Sequence, residues 1–428
     1  MRPAVFRLLG TALLGVSQAR AWQFPHAPSY STAQKPLGGL TDDDVDIVHG
    51  SQFSGLNTYA RIPYVNCFSD DAAEGTKYDV AILGAPFDTG VTARPGARYG
   101  PRGIRASSQR KYADFAWSVY TGRSIRTISQ TCSAGSIEEE THADRFVGKN
   151  ALKSWATVVD CGDVPLTVLD NNYALAQLTK GHKVVSGRKA ANQSYSATPR
   201  IIMLGGDHTT TLPALRSVHK HWGQVSVIHF DSHLDTWDPS VISGGISDYA
   251  DLNHGTFLHI AHEEGLIRNT SIHAGIRAPL VRPKGDIQND ERCGFARLTA
   301  RDLDRLGVSG IVSRIRDRVT GPVYISVDID VLDPAFAPVN GTKLLTNPRL
   351  SPKKPTGTPE PGGWSTRELL AILDGLTGLE VVGADVVEVA PVYDTRGETT
   401  TLAAAEVVWS LLELMVEAPV KSLVDRAS

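Results

Sequence analysis

Residues 225–237 read VSVIHFDSHLDTW, an apolar β-branched run that ends in acid. Asp231, His233 and Asp235 occupy alternate positions, and alternate residues of an extended chain share one face. His229 shares that face deeper in the run, where it reads as a core histidine. Strands so continuous in Val and Ile are buried on both sides, which implies a parallel sheet covered by helices. The design recurs along the chain in YDVAILGAP (78–86), ATVVDCGDV (156–164), PRIIMLGGD (199–207), SIHAGIR (271–277), GPVYISVDIDVLD (321–333) and LEVVGADVVEVAP (379–391). Between these runs lie the helix-like stretches LPALRSVHKHW (212–222), ARDLDRLGVSGIVSRIRDRV (300–319) and STRELLAILDGLTG (365–378). His219 and His221, on the first of these helices, read as solvated.

Ligands of such sheets bind beyond the carboxyl ends of the strands, and several of these ends carry acid or imidazole. Asp328 and Asp330 repeat the alternate spacing after VYISV. PRIIML ends in Gly205-Gly206-Asp207-His208, where the glycines permit a sharp turn. The last run carries Asp385 and Glu388. Gathered in one cleft, the carboxylates would repel and several would have to protonate; a divalent cation removes that cost. His208 and His233 with Asp231, Asp235, Asp328 and Asp330 form an oxygen-rich set that suits Mn²⁺ better than Zn²⁺. The set is too large for one catalytic ion that keeps an open position. It suits two ions, about 3.5–4 Å apart, sharing carboxylates and a water.

GGDHTTTLPALR (205–216), DSHLDTW (231–237), SVDIDVLDPAFAP (326–338) and GADVVEVAPVYD (383–394) together resemble the signatures of the ureohydrolase (arginase/agmatinase) family, in the family's order. FSGLNTYARIPYV (53–65), GAPFDTGVTARPGARYGPRGIR (84–105), NHGTF (253–257) and EEGLI (263–267) resemble the agmatinase branch. The resemblance runs from about residue 47 to about 415. It implies a three-layer α/β/α sandwich around a mainly parallel sheet and two Mn²⁺ per subunit. His208, Asp231, Asp235 and Asp328 would hold one ion, and Asp231, His233, Asp328 and Asp330 the other, with Asp231 and Asp328 bridging. Asp330 would also orient the attacking hydroxide. His254 matches the histidine that shuttles protons, and Glu388 the carboxylate that grips the guanidinium. Arg94 and Arg98 lie on the loop that rims the active site in the family.

The implied reaction is hydrolysis of a guanidino compound to urea and an amine, with agmatine giving putrescine as the first expectation and guanidinobutyrate next. The implied assembly is a homo-oligomer, trimeric or hexameric. Two other readings stand beside it. An inactive secreted metal-binding relative is separated from an enzyme by a urea assay with added Mn²⁺. A deacetylase-like hydrolase uses one zinc and fewer acidic ligands, so metal content after purification separates it.

The remaining sequence bounds the setting. The chain has 428 residues and a net charge of −3, which gives no argument for nucleic acid or a membrane surface. Arg2 and Arg7, the apolar run Leu8–Val16 and Ala19-Arg20-Ala21 have a signal-peptide layout with cleavage near Ala21, so the mature protein is expected to be secreted and soluble. No later stretch reads as a membrane span. Residues 22–46 read as a mobile arm and 47–420 as the ureohydrolase domain. Cys67, Cys132, Cys161 and Cys293 allow three pairings into two bridges, and Cys161 also reads as a buried thiol. Asn192, Asn269 and Asn340 begin glycosylation triplets. Residues 339–356, VNGTKLLTNPRLSPKKPT, interrupt a span that is nearly continuous in the family. They are either a rim loop or a retained intron, and recovery of the natural peptide ending in Arg349 decides between them.

Overall fold

Every strand ladder in the sheet is parallel, as the doubly apolar runs require. The computed structural model describes residues 56–69, 76–119, 149–242, 246–337, 358 and 360–427. The signal-like segment, the arm, Cys132, Asn340 and the insert 339–356 lie outside the described residues. The strands are β1 (Val80–Gly84), β2 (Val158–Asp163), β3 (Arg200–Leu204), β4 (Ser226–Phe230), β5 (Ser271–Ile276), β6 (Phe295–Thr299), β7 (Val323–Asp328) and β8 (Val381–Val387). Their spatial order is β2-β1-β3-β8-β7-β4-β5-β6. The longer helices are α1 (Gly100–Ser107), α2 (Asn171–Ser186), α3 (Thr211–Trp222), α4 (Phe257–Glu263), α5 (Pro283–Arg292), α6 (Asp302–Arg318), α7 (Thr366–Gly375) and α8 (Thr399–Glu417).

Alternation along each strand feeds two cores. Val80 and Ile82 of β1, with Ile228 and Phe230 of β4, pack into the core shared with α6, α7 and α8. Ala81, Leu83 and Val227 point the other way, toward α2, α3 and α4. The sheet is thus the middle layer of an α/β/α sandwich. His229 and Asp231 share the parity of Val227, so that face of β4 turns from apolar to acidic at its carboxyl end.

Four sequence expectations change here. β6 was not among the apolar runs, because an edge strand buries only part of its surface: Ala296 and Arg297 are half-buried and Thr299 is exposed. Helix α8 is long and apolar enough to cross a bilayer, with mean hydropathy 1.4, contrary to the reading of no such stretch. Its apolar window is 78% buried, as in the core helix of a globular fold. Cys161 is not a free thiol: it is bridged to Cys67, 94 residues away, while Cys293 is unbridged and buried. Constraining the unfolded chain across such a span stabilises by about 2–4 kcal/mol. Reduction of Cys67–Cys161 is therefore expected to lower the denaturant midpoint, with an unchanged midpoint counting against a structural role. His221 is also less solvated than expected, since its Nε2 lies 3.1 Å from Ser186 Oγ.

Candidate metal centre and active site

The predicted ligands converge at the carboxyl ends of β3, β4 and β7, which the strand order separates only by β8. His208 follows the turn after β3. Gly206 permits that turn by close approach: a Cβ there would lie 1.8 Å from Phe87 O. His208 Nδ1 lies 3.2 Å from Asp231 Oδ2, 3.1 Å from Asp235 Oδ2 and 3.4 Å from Asp328 Oδ2. Beside this group, His233 Nδ1 lies 3.3 Å from Asp231 Oδ1 and 3.1 Å from Asp330 Oδ2. Asp231 therefore faces both clusters with different oxygens, as a bridging ligand would.

Second contacts set the orientation of the first. Ser326 Oγ donates to Asp385 Oδ1 (2.7 Å), and Tyr324 and Thr211 hydroxyls donate to Asp385 Oδ2 (2.6 and 2.8 Å). With its hydrogen directed at Asp385, Ser326 Oγ accepts from His208 Nε2 at 2.7 Å. Neutral His208 then has a bare Nδ1 facing three carboxylates. Asp385, a strand-end candidate in the sequence, thus orients a ligand from beneath. Ser232 N and Oγ donate to Asp330 Oδ1 (3.2 and 2.8 Å), and Asp330 N donates to Asp328 Oδ1 (2.7 Å). Arg277 Nη2 donates to the carbonyls of Asp330 (2.6 Å) and Leu332 (3.2 Å), stapling that loop.

Removing Ser326 tests this support. Ser326→Ala frees the His208 ring while Asp385 retains Tyr324 and Thr211, so metal affinity is expected to fall about 10–100-fold with the fold intact. Calorimetric titration of Mn²⁺ measures it, and an unchanged affinity would remove Ser326 from the supporting set.

The residues fit a divalent cation. Among the described residues, His208 Nδ1, His229 Nε2, Asp231 Oδ2 and Asp330 Oδ2 are fully buried polar atoms without a hydrogen-bond partner. Leaving one such atom unmatched costs about 1–3 kcal/mol, and a cation among them would satisfy them together. Burial and the charge of Asp231 push the Asp235 carboxyl up to about 6, and burial with Asp330 and Asp231 raises Asp328 well above the carboxylate range. Two site residues also hold left-handed backbone, Asp235 at φ 55° and Glu388 at φ 59°. For a residue with a Cβ this costs about 1–2 kcal/mol, and such departures cluster at functional sites.

Glu388 and His254 complete the cleft. Glu388 Oε1 accepts from His208 N (3.0 Å) and contacts His254 Nδ1 (3.1 Å). Thr92 N donates to His254 Nε2 at 3.1 Å, so the neutral ring carries its proton on Nδ1, toward Glu388. Burial disfavours charging His254, but the Glu388 hydrogen bond and carboxylate, aided by Asp235 and Asp207, raise its pKa above the ordinary value. Asp207 ties the surrounding loops by accepting from Gly90 N (2.8 Å) and Thr209 N (3.0 Å). Burial and Glu388 push its carboxyl up to about 7. Arg98 is paired with Asp88 (Nε–Oδ1 2.5 Å). Arg94 lies half-buried on the same loop.

His229 bears out the sequence reading of a buried histidine and adds to it. It is buried, as a core histidine should be, but its Nε2 lies 3.1 Å from Asp231 Oδ2 and joins the cluster of His208, Asp231 and Asp235. The shared face of β4 was the available signal. Its other partner, His273, becomes its neighbour only through the β4–β5 pairing.

Comparison with known proteins shows the family. A family model described as "Arginase family" matches residues 78–151, 121–345 and 353–413. The chain is 43% identical over 423 residues to "Putative agmatinase 1" of Schizosaccharomyces pombe, covering 96% of this chain and 94% of that one. It is 33% identical over 338 residues to an agmatinase of Neisseria meningitidis, covering 78% and 87%. Proclavaminate amidino hydrolase from Streptomyces clavuligerus superposes with a TM-score of 0.65 at 31% identity, covering 86% of this chain and 100% of that structure. In sequence and in fold, this chain belongs to the arginase family.

Proposed function

We propose that the protein hydrolyses agmatine to putrescine and urea on a two-manganese centre. The hydrolysis of a guanidino compound is the family's chemistry; the metal, the substrate and the residue roles are the proposal. The observation that carries it is the convergence of His208, His233 and four aspartates beside Glu388 and His254. His208, Asp231, Asp235 and Asp328 would hold one ion, and Asp231, His233, Asp328 and Asp330 the other. When bound, the two ions lower the pKa of a shared water and supply hydroxide near neutral pH.

A guanidinium carbon is a poor electrophile, so placement matters. Glu388 Oε1 is occupied by His208 N and His254, and Oε2 is in neither bond. Oε2 grips the guanidinium N–H groups, a charge-assisted contact of about 1.5–3 kcal/mol, and fixes the carbon for attack. Asp330, held by Ser232, orients the nucleophile and takes its proton. His254 delivers a proton to the leaving amine, which lets the tetrahedral intermediate collapse.

The choice of agmatine is supported by NHGTF and by the agmatinase-named relatives. A panel of agmatine, guanidinobutyrate, arginine and proclavaminate-like amidines, scored for urea with manganese-loaded protein, tests it. Agmatine is expected to have the highest kcat/KM; release no faster than from every other compound would overturn the specificity, and no urea from any would overturn the reaction. Export is supported by the signal-like N-terminus and by the Cys67–Cys161 bridge, since such bridges persist in oxidising compartments. Finding the protein only inside cells with both thiols reduced would sink that assignment.

A further inference from the structure

We infer that His229 is an additional metal donor, its Nε2 held bare by the line Arg297–Asp290–His273. This goes beyond the six ligands and rests on the proposed divalent-metal centre. His229 and His273 stand opposite each other in β4 and β5, both buried, with Nδ1 to Nδ1 at 2.8 Å. That contact needs one hydrogen, from one ring or the other. The outer end decides which. His273 Nε2 lies 2.8 Å from Asp290 Oδ1, and a carboxylate only accepts, so the His273 hydrogen sits on Nε2. A neutral His273 then accepts at Nδ1, and His229 Nδ1 donates. Neutral His229 has no second hydrogen, so Nε2 points a lone pair at Asp231 Oδ2 (3.1 Å) and toward Asp235 Oδ2 (3.9 Å).

Lone pair against carboxylate in a dry interior is repulsive. Either a cation lies among these atoms or the histidine pair carries an extra proton. Charge balance favours the first. Asp290 is already matched by Arg297 Nη1 at 2.6 Å and by the Thr236 hydroxyl at 2.8 Å, so the outer end requires no imidazolium. An imidazolium at the inner end would sit against divalent ions and be repelled. His229 therefore stands to the centre as His208 does: each ring is oriented by a hydrogen bond on its far nitrogen, and the near nitrogen is left as a donor. The two rings lie 4.8 Å apart, centroid to centroid, and Phe295 stacks on His273 at 4.0 Å, closing the line from water.

The test uses full-length, chelator-stripped protein titrated with Mn²⁺ by calorimetry, together with the nitrogen modulation of the bound-Mn²⁺ electron spin echo. Wild type is expected to bind two ions. His229→Phe is expected to lose about 10–100-fold in affinity for one of them and to lose one coordinated nitrogen from the echo. Should His229→Phe not fold, His273 answers the question. His273→Gln keeps the polarity, since Gln Oε1 accepts from His229 and its amide donates to Asp290, so affinity and nitrogen count are expected to stay near wild type. His273→Leu removes the acceptor and is expected to weaken one ion about tenfold or more. Two ions bound by wild type with no change in His229→Phe, or with His273→Gln and His273→Leu alike, would overturn this inference and leave the binuclear reading standing. Wild type that binds no metal would overturn both.

Discussion

Asp328→Ala is expected to abolish urea release, by on the order of 10³-fold or more. Asp328 ends β7, lies 3.4 Å from His208 Nδ1 through one oxygen and accepts Asp330 N at 2.7 Å through the other. It is one of two proposed bridging ligands and also caps the turn Ile329–Val331 that aims Asp330. Its loss therefore costs a shared ligand and the placement of a second, and neither remaining cluster can hold both ions in register. Metal content by elemental analysis, with urea assayed at saturating Mn²⁺, measures the effect. Retention of two ions and turnover within about tenfold of wild type would refute the centre as drawn.

Arg105→Leu is expected to destabilise the fold by about 3–5 kcal/mol, away from the metal centre. Arg105, in α1, is 5% exposed and places its guanidinium over the end of β2. Nε and Nη2 pair with the two oxygens of buried Asp160 (2.8 and 2.9 Å), and Nη1 reaches Asp163 at 2.5 Å. The carboxylates hold the guanidinium charged against burial, which works to lower its pKa. Removing Arg105 leaves the Asp160 charge buried with, among the described residues, only Tyr59 N and Gly162 N as remaining donors. Asp163 is 40% exposed and contributes little. The denaturant midpoint reports the loss, and a shift worth less than about 1 kcal/mol would show that Asp160 is resolvated. The double replacement Arg105→Leu with Asp160→Leu is expected to cost less than Arg105→Leu alone, because no unpaired charge remains.

Much of the fold was legible because its signals are local. A run such as VSVIHFD is apolar at both parities, and that alone implies a strand between two helical layers. STRELLAIL carries its own start signal: Ser365 and Glu368 form the reciprocal cap that begins α7. Edge strand β6 escaped because a half-exposed strand has no such run. The ligand set was legible for the same local reason, since each acid or imidazole sits at fixed spacing from the end of its own strand. Residues that act through neighbours were not. Ser326 looks like an ordinary strand residue until β7 and β8 pair and set it beside Asp385, whose place near a strand end was visible but whose partner was not.

The sequence by itself thus determined the layered fold class and which side chains stand at the strand ends, because strand periodicity and the turn into a helix are encoded within a dozen residues. Tertiary structure alone decided the strand order, the bridging of Cys67 to Cys161, the pairing of Arg98 with Asp88, and the contact of His229 with His273. Those partners are brought together by closing long loops around a common core, and the geometry of closure is not a property of any local stretch of chain.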